Sequence, residues 1–231
     1  MTSSASLNRS NQKEAGEVLA CRINGVVHDR SSSMVDDIRS VPVYRHDTDA
    51  LALIRHDAAH ILAQAISELF PGTLFATGPT TENGFYYDVE PEEPITAEDL
   101  PRIEVRMHEI VARNEPIARE IWDRESALSW CGEQGQHYKA EIINALPPDA
   151  VLTFYRQGDF VDLCRGPHLS NTAVVGPAFR LVGIACAYWT GDRNRPLLQR
   201  GYGRAWRTEP EPEAWEQRWG AAPLRAARPR S

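Results

Sequence analysis

Apolar residues recur along this chain in two periods, one helical and one of strands. Over 56–70 the apolar positions Ala58, Ala59, Ile61, Leu62, Ala65, Ile66 and Leu69 make a stripe wide enough to be buried, and Pro71-Gly72 ends it. A second helix is predicted over 97–112, with Thr96 as N-cap, Asp99 at the third position, and Leu100, Ile103, Met107, Ile110 and Val111 facing inward. Shorter helices fit 126–131 and 136–146. Runs rich in β-branched and aromatic residues predict strands over 85–89, 117–122, 152–156, 160–163 and 179–189. Nearer the start, 18–27 reads as a hairpin, because Asn24-Gly25 is a two-residue turn between β-rich arms. The run SSSMVDDIRSVP reads as a loop leading to a strand over 41–44. The tail over 210–231, rich in Pro, Arg, Ala and Trp, is expected to fray or to form one short helix over 214–219. Helices interleaved with hairpin strands predict an α+β fold, an antiparallel or mixed sheet with packed helices.

Composition narrows this picture. A length of 231 residues allows one sizeable core with an attached partial unit. No run approaches the roughly 18 apolar residues of a membrane span, and MTSSASLNRSNQKEAGE is too polar for a signal-peptide core, so a cytoplasmic protein without a membrane partner is expected. Cys21, Cys131, Cys164 and Cys186 are too widely spaced for a disulfide framework and are expected to stay free or to bind metal. The net charge of −7 has the wrong sign for holding nucleic acid by bulk electrostatics. Its distribution is uneven, however: acids crowd 82–99, whereas Arg193, Arg195, Arg200, Arg204 and Arg207 meet only Asp192. A solvated charged face is the plainer reading of that basic run. There is no internal repeat and no Gly-rich phosphate loop, hence no expected ATP site.

Chemistry enters with His56-Asp-Ala-Ala-His60, since residues four apart on a helix share a face and two imidazoles there reach one metal ion. Asp162-Leu-Cys164-Arg-Gly-Pro-His168 adds a thiol and an imidazole on a segment that Gly-Pro keeps from being a regular helix. Neither cluster closes a site alone. Together they offer three imidazoles and one thiolate, a donor set that suits tetrahedral zinc. A zinc protease is the competing metal reading, but its motif needs a Glu base at the second position, where this chain has Asp57.

The segments RHDAAHILAQAI, GPTTENGFYYDV, YK at 138–139, VDLCRGPH and AYWTGDRNRPLLQRGYGRAW occur in the order found in the editing domain of threonyl-tRNA synthetase. The chain resembles that domain over 46–207 and, more distantly, the editing domain of alanyl-tRNA synthetase and its freestanding relatives. Residues 21–44 resemble the second half of the small β-grasp domain that precedes editing. The resemblance implies a partial β-grasp unit over 18–45 and an editing domain of the second-additional-domain type over 46–208; a disordered 1–17 and a flexible tail over 209–231 are expected to flank them.

What the resemblance implies chemically is a deacylase that removes serine from mischarged threonine tRNA. It would act in trans, because the sequence ends where the synthetase would continue into its aminoacylation core. His56, His60, Cys164 and His168 would form the centre, either as zinc ligands or as an acid/base group without metal. His56, at the N-terminal end of the turn, would be the loosest ligand or the base. Lys139, Asp162 and Tyr87 match positions that line the centre, with Lys139 stabilising negative charge and Asp162 orienting an imidazole. Arg165, Tyr188, Trp189 and Arg200, with Phe85 and Tyr86, are candidates to hold the single-stranded 3′ end of the tRNA, core packing being the alternative for the aromatics. The chain departs from the family at Asp57 and Ala58, where Ser-Cys is usual, and at Gln64 and Cys186. The changes inside the His-x-x-x-His turn open a second substrate, a threonine analogue such as a halogenated threonine. Two other classes compete: a catalytically inactive tRNA-binding or regulatory module, and a hydrolase of a free small molecule.

Overall fold

The computed structural model describes residues 17–30 and 40–208. Most of the expected loop before residue 41, and the short helix over 214–219, lie outside the described residues. Strands β1 (Val18–Ile23), β2 (Val26–Asp29) and β3 (Ser40–Tyr44) form an antiparallel sheet in the order β2-β1-β3. The first hairpin turns where its sequence required, with Asn24 and Gly25 both at positive φ, 51° and 84°. Helix α1 (Thr48–Leu69) begins eight residues before the expected start. Ala50, Leu53 and Ile54 continue its buried stripe upstream of His56, and from Ala58 to Ile66 the helix is buried on every side.

There follow β4 (Leu74–Phe75), β5 (Thr80–Thr81), β6 (Gly84–Glu90), a 3₁₀ turn at Ala97–Asp99 and α2 (Leu100–Arg113). The Thr96–Asp99 capping box is present, the Thr96 amide donating to Asp99 Oδ2 at 2.9 Å. The rest comprises β7 (Ile117–Trp122), α3 (Arg124–Glu133), α4 (His137–Ala145), β8 (Leu152–Gln157), β9 (Phe160–Leu163), β10 (Phe179–Tyr188) and β11 (Leu197–Ala205). The main sheet runs β10-β11-β6-β4 with β5 also on β6, and a third sheet runs β7-β8-β9. Every ladder among the described residues is antiparallel, so the fold is α+β.

Strand β11 was not expected from the sequence, because its glycines lower strand propensity while close packing requires them. A Cβ on Gly203 would lie 2.2 Å from the Phe85 ring, and one on Gly84 would lie 2.2 Å from the Gly203 carbonyl. Central strands this close to their neighbours need residues that depress strand propensity. The main sheet, α1, α2 and the first sheet share one core, in which Leu19, Ala20 and Val43 join Ile54, Ile61, Phe85, Tyr87 and Met107. Helices α3 and α4 bury a smaller core against β8, around Cys131, Ile143 and Phe154.

Helices α1 and α2 are tied by charge. Glu68 receives Arg113 at 2.6 and 2.8 Å and Arg106 at 2.8 Å. The Arg113 guanidinium, helped by Arg106 and Gln64 and opposed by partial burial, holds the Glu68 carboxyl at about 2 rather than the usual 4.5. A carboxyl depressed by folding stabilises fully above its unfolded value and loses that contribution as pH falls through the folded one. The urea stability of the native chain should therefore exceed that of Glu68→Gln near neutrality, and the gap should close between pH 4.5 and pH 2. A gap that stays constant over that window would show that the pair does not tie the helices.

Candidate active site

Four residues from the two motifs converge. His56 and His60 stand one turn apart on α1 with ring centroids 4.9 Å apart, and the His168 ring lies 4.5 Å from each. Cys164 leaves β9 with its amide on the Thr153 carbonyl at 3.0 Å, and its sulfur lies 3.1 Å from His56 Nε2. The loop then doubles back tightly. Gly166 has φ of 69°, and a Cβ there would lie 2.2 Å from the Tyr155 hydroxyl, so only glycine fits. One donor atom from each of the four residues lies within 4.8 Å of the others.

Buried carboxylates hold this cluster from behind. Asp162 accepts from Lys139 Nζ at 2.5 Å and from the Tyr87 hydroxyl, and lies 3.3 Å from His60 Nδ1. Lys139 also donates to the Tyr87 oxygen at 3.0 Å. Asp57 accepts from His168 Nδ1 at 2.6 Å and from the Leu169 amide at 2.8 Å. Asp29, on β2, accepts from the His168 amide at 2.5 Å and from the Tyr155 hydroxyl at 2.8 Å. From sequence Asp57 stood out only as a departure that bears on the substrate, not as a partner of His168, and Asp29 did not stand out at all. An ionisable residue inside the most apolar stripe of the chain was the available signal for Asp57; Asp29, remote in sequence, carried none.

The charges settle accordingly. Burial pushes the Cys164 thiol up, but the three imidazoles around it outweigh burial and bring it down to about 2. Burial lowers His168, but the Asp57 carboxylate and the Cys164 sulfur outweigh it and raise the imidazole to about 10. His60 goes the other way, because burial and His168 outweigh Cys164 and Asp162. Burial, then Asp162, push the Tyr87 phenol well above its usual range. His168 Nε2 is buried, with no oxygen or nitrogen partner, and faces the Cys164 sulfur, so both belong to one donor set. With a thiolate and two further imidazoles beside it, the cluster could hold a metal ion, and the donor set suits zinc.

A cavity of about 490 Å³ opens onto the cluster, lined by His56, His60, Tyr87, Lys139, Asp162, Cys164 and Arg165, with Ile142, Leu146 and Pro79 among its apolar walls. A second cavity of about 530 Å³ reaches Lys139 and Asp162 from the Gln64 and Glu115 side, but no imidazole or thiol lines it. Asp57 and Ala58 have no exposed surface and line neither cavity. Their departure from the usual Ser-Cys pair therefore does not alter the cavity wall directly.

The remaining candidates lie elsewhere. Arg165 is exposed at the cavity rim. Trp189 is buried on Tyr138 and donates to Glu141 at 3.1 Å. Arg200 pairs with Asp88 at 2.6 and 2.8 Å and stacks over Tyr86. Tyr188 is exposed at the end of β10, and Phe85 is in the main core. None of these last five lines the cavity.

Residues 152–200, which carry Asp162, Cys164 and His168, match the family described as the threonyl and alanyl tRNA synthetase second additional domain. The antiparallel α+β architecture agrees with that class. Among individual relatives, the threonine–tRNA ligase of Granulibacter bethesdensis is 50% identical over 201 residues, which is 87% of this chain and 31% of the ligase. That of Rhodospirillum rubrum is 50% identical over 192 residues, 83% of this chain and 30% of the ligase. That of Agrobacterium fabrum is 48% identical over 206 residues, 89% of this chain and 30% of the ligase. The chain thus spans about a third of the length of the relatives it matches. No helix among the described residues is long and apolar enough to cross a membrane.

The thiolate has a direct signature. In metal-free protein, alkylation of Cys164 should proceed at a rate nearly flat from about pH 5 to pH 8, and zinc should protect it; peptide mapping separates it from the exposed Cys186. A rate rising about tenfold per pH unit, as for an ordinary thiol of pKa about 8.5, would mean that the imidazoles do not hold a thiolate.

Proposed function

We propose that this chain is an aminoacyl-tRNA deacylase, acting in trans to hydrolyse the ester that links a wrong amino acid to threonine tRNA. The removed group is serine, or a threonine analogue such as a halogenated threonine. One observation carries the reading: a single cavity of about 490 Å³ brings the His/His/Cys cluster and the Lys139–Asp162–Tyr87 triad to the same space. That volume suits a small aminoacyl group with its terminal nucleoside. The similarity to part of three threonine–tRNA ligases supports threonine tRNA as the carrier.

Each residue has a task in ester hydrolysis. Water forms a bond to the ester carbonyl carbon and gives a proton to a base. His56, the least buried of the three imidazoles and a wall of the cavity, is placed to take it. Negative charge develops on the carbonyl oxygen, and the Lys139 ammonium, held by Asp162 and Tyr87, stabilises it without having to reorganise. The carbon–oxygen bond to the ribose then breaks, and the ribose oxygen recovers the proton from His56. Arg165, on the rim, meets the phosphates of the single-stranded 3′ end. Zinc, when held by His56, His60, Cys164 and His168, supplies Lewis acidity that polarises an ester carbonyl and acidifies water. With such an ion bound, His56, the least buried of the three imidazoles, would be the loosest of the four ligands or would serve as base instead.

The test is deacylation of threonine tRNA charged in turn with serine, threonine, alanine and threonine analogues. Seryl or analogue ester should be cleaved roughly 10–200-fold faster than threonyl ester, the range that one small substituent supplies. Equal rates, or none above background, overturn the proposal; cleavage of free esters with no preference for tRNA would indicate a small-molecule hydrolase. His56→Ala should lower the rate about 10²–10⁴-fold with an unchanged unfolding midpoint. Near-normal turnover would place the base elsewhere.

A further inference from the structure

Asp57 lies between the two helical histidines, yet it serves neither. It has no exposed surface and does not line the cavity. Both of its oxygens are committed to the opposite loop, Oδ1 to His168 Nδ1 and Oδ2 to the Leu169 amide, 111 and 112 residues away in sequence. An amide hydrogen has one place to go, so the second bond fixes the carboxylate against the loop. The first bond then decides the imidazole. With Nδ1 donating to Asp57, Nε2 is the atom left for the cluster, buried and facing the Cys164 sulfur with no oxygen or nitrogen partner.

We propose that Asp57 is the positioning residue of this centre: it keeps a proton on His168 Nδ1 and thereby reserves Nε2 for a metal ion. A carboxylate that accepts from the far nitrogen of a ligating imidazole fixes its tautomer and raises its basicity. Asp29 completes the grip by holding the His168 amide, so that ring and backbone are anchored by separate carboxylates on separate elements. The inference rests on the functional reading only in taking the cluster as a metal centre, and its test needs no tRNA.

Asp57→Asn is nearly isosteric and separates position from packing. An amide has one acceptor where the carboxylate uses two. Either the Leu169 amide faces an NH₂ group, or the imidazole turns acceptor towards it and carries its proton on Nε2, where it blocks a ligand. Competition titration against a chromophoric chelator should show zinc bound about 10–100-fold more weakly by Asp57→Asn than by the native chain. Nitrogen-15 NMR of the zinc-loaded native protein should find the His168 proton on Nδ1. Zinc affinity within twofold of native in a folded Asp57→Asn, or a native His168 protonated on Nε2, overturns the proposal. Should Asp57→Asn fail to fold, the NMR measurement on the native chain decides alone. Loss of the deacylase reading would show only in the charged-tRNA assay and leave both readouts untouched.

Discussion

The constraint on which the site depends is the burial of charge. Asp57, Lys139, Asp162 and His168 are each 3% exposed or less. An isolated ion removed from water is costly by many kcal/mol, so each of these groups needs a partner of opposite sign within hydrogen-bond reach. The pairs join distant stretches: Lys139 from α4 meets Asp162 from β9, and His168 from the loop after β9 meets Asp57 from α1, while the neutral Tyr87 hydroxyl from β6 adds a hydrogen bond to Asp162. Satisfying them brings those elements to one place. The cavity is what remains between them, and the same pairings that make burial tolerable leave His56 and the Cys164 sulfur facing it.

The fold supplies the rigidity this arrangement needs. Helix α1 is buried on all sides around His60, so its two histidines are set by the main core rather than by a mobile surface. The loop carrying Cys164 and His168 is irregular, yet it is pinned by Thr153, Asp57 and Asp29. Asp29 gives the first sheet a part in the centre, and Leu19, Ala20 and Val43 give it a part in the core. Strands β1, β2 and β3 are thus packed into the body that holds the site.

Legibility varied with the kind of information a residue carries. Period and turn chemistry exposed the Asn24-Gly25 hairpin, the Thr96–Asp99 cap and the strands over 117–122 and 160–163, because those signals are local. Strand β11 was hidden because close packing selects glycines that local propensity counts against it. The motif spacing gathered His56, His60, Cys164 and His168, and the structure brings them within 4.8 Å. Asp29 was out of reach, since its partner lies 139 residues away. Arg200 and Trp189 stood out for their chemical type, which sequence displays, while their partners Asp88 and Glu141 are set by sheet register and helix packing, which it does not.

The proposed deacylation requires one cavity to present an aminoacyl ester to His56 and Lys139. The most direct measurement is a crystal structure of the protein with a non-hydrolysable analogue, seryl-adenosine whose ester is replaced by an amide. The analogue is expected in the cavity beneath Arg165, its carbonyl oxygen about 3 Å from Lys139 Nζ and its carbonyl carbon facing His56. An analogue seated in the cavity beside Gln64 and Glu115, or one whose carbonyl points away from both residues, would contradict it.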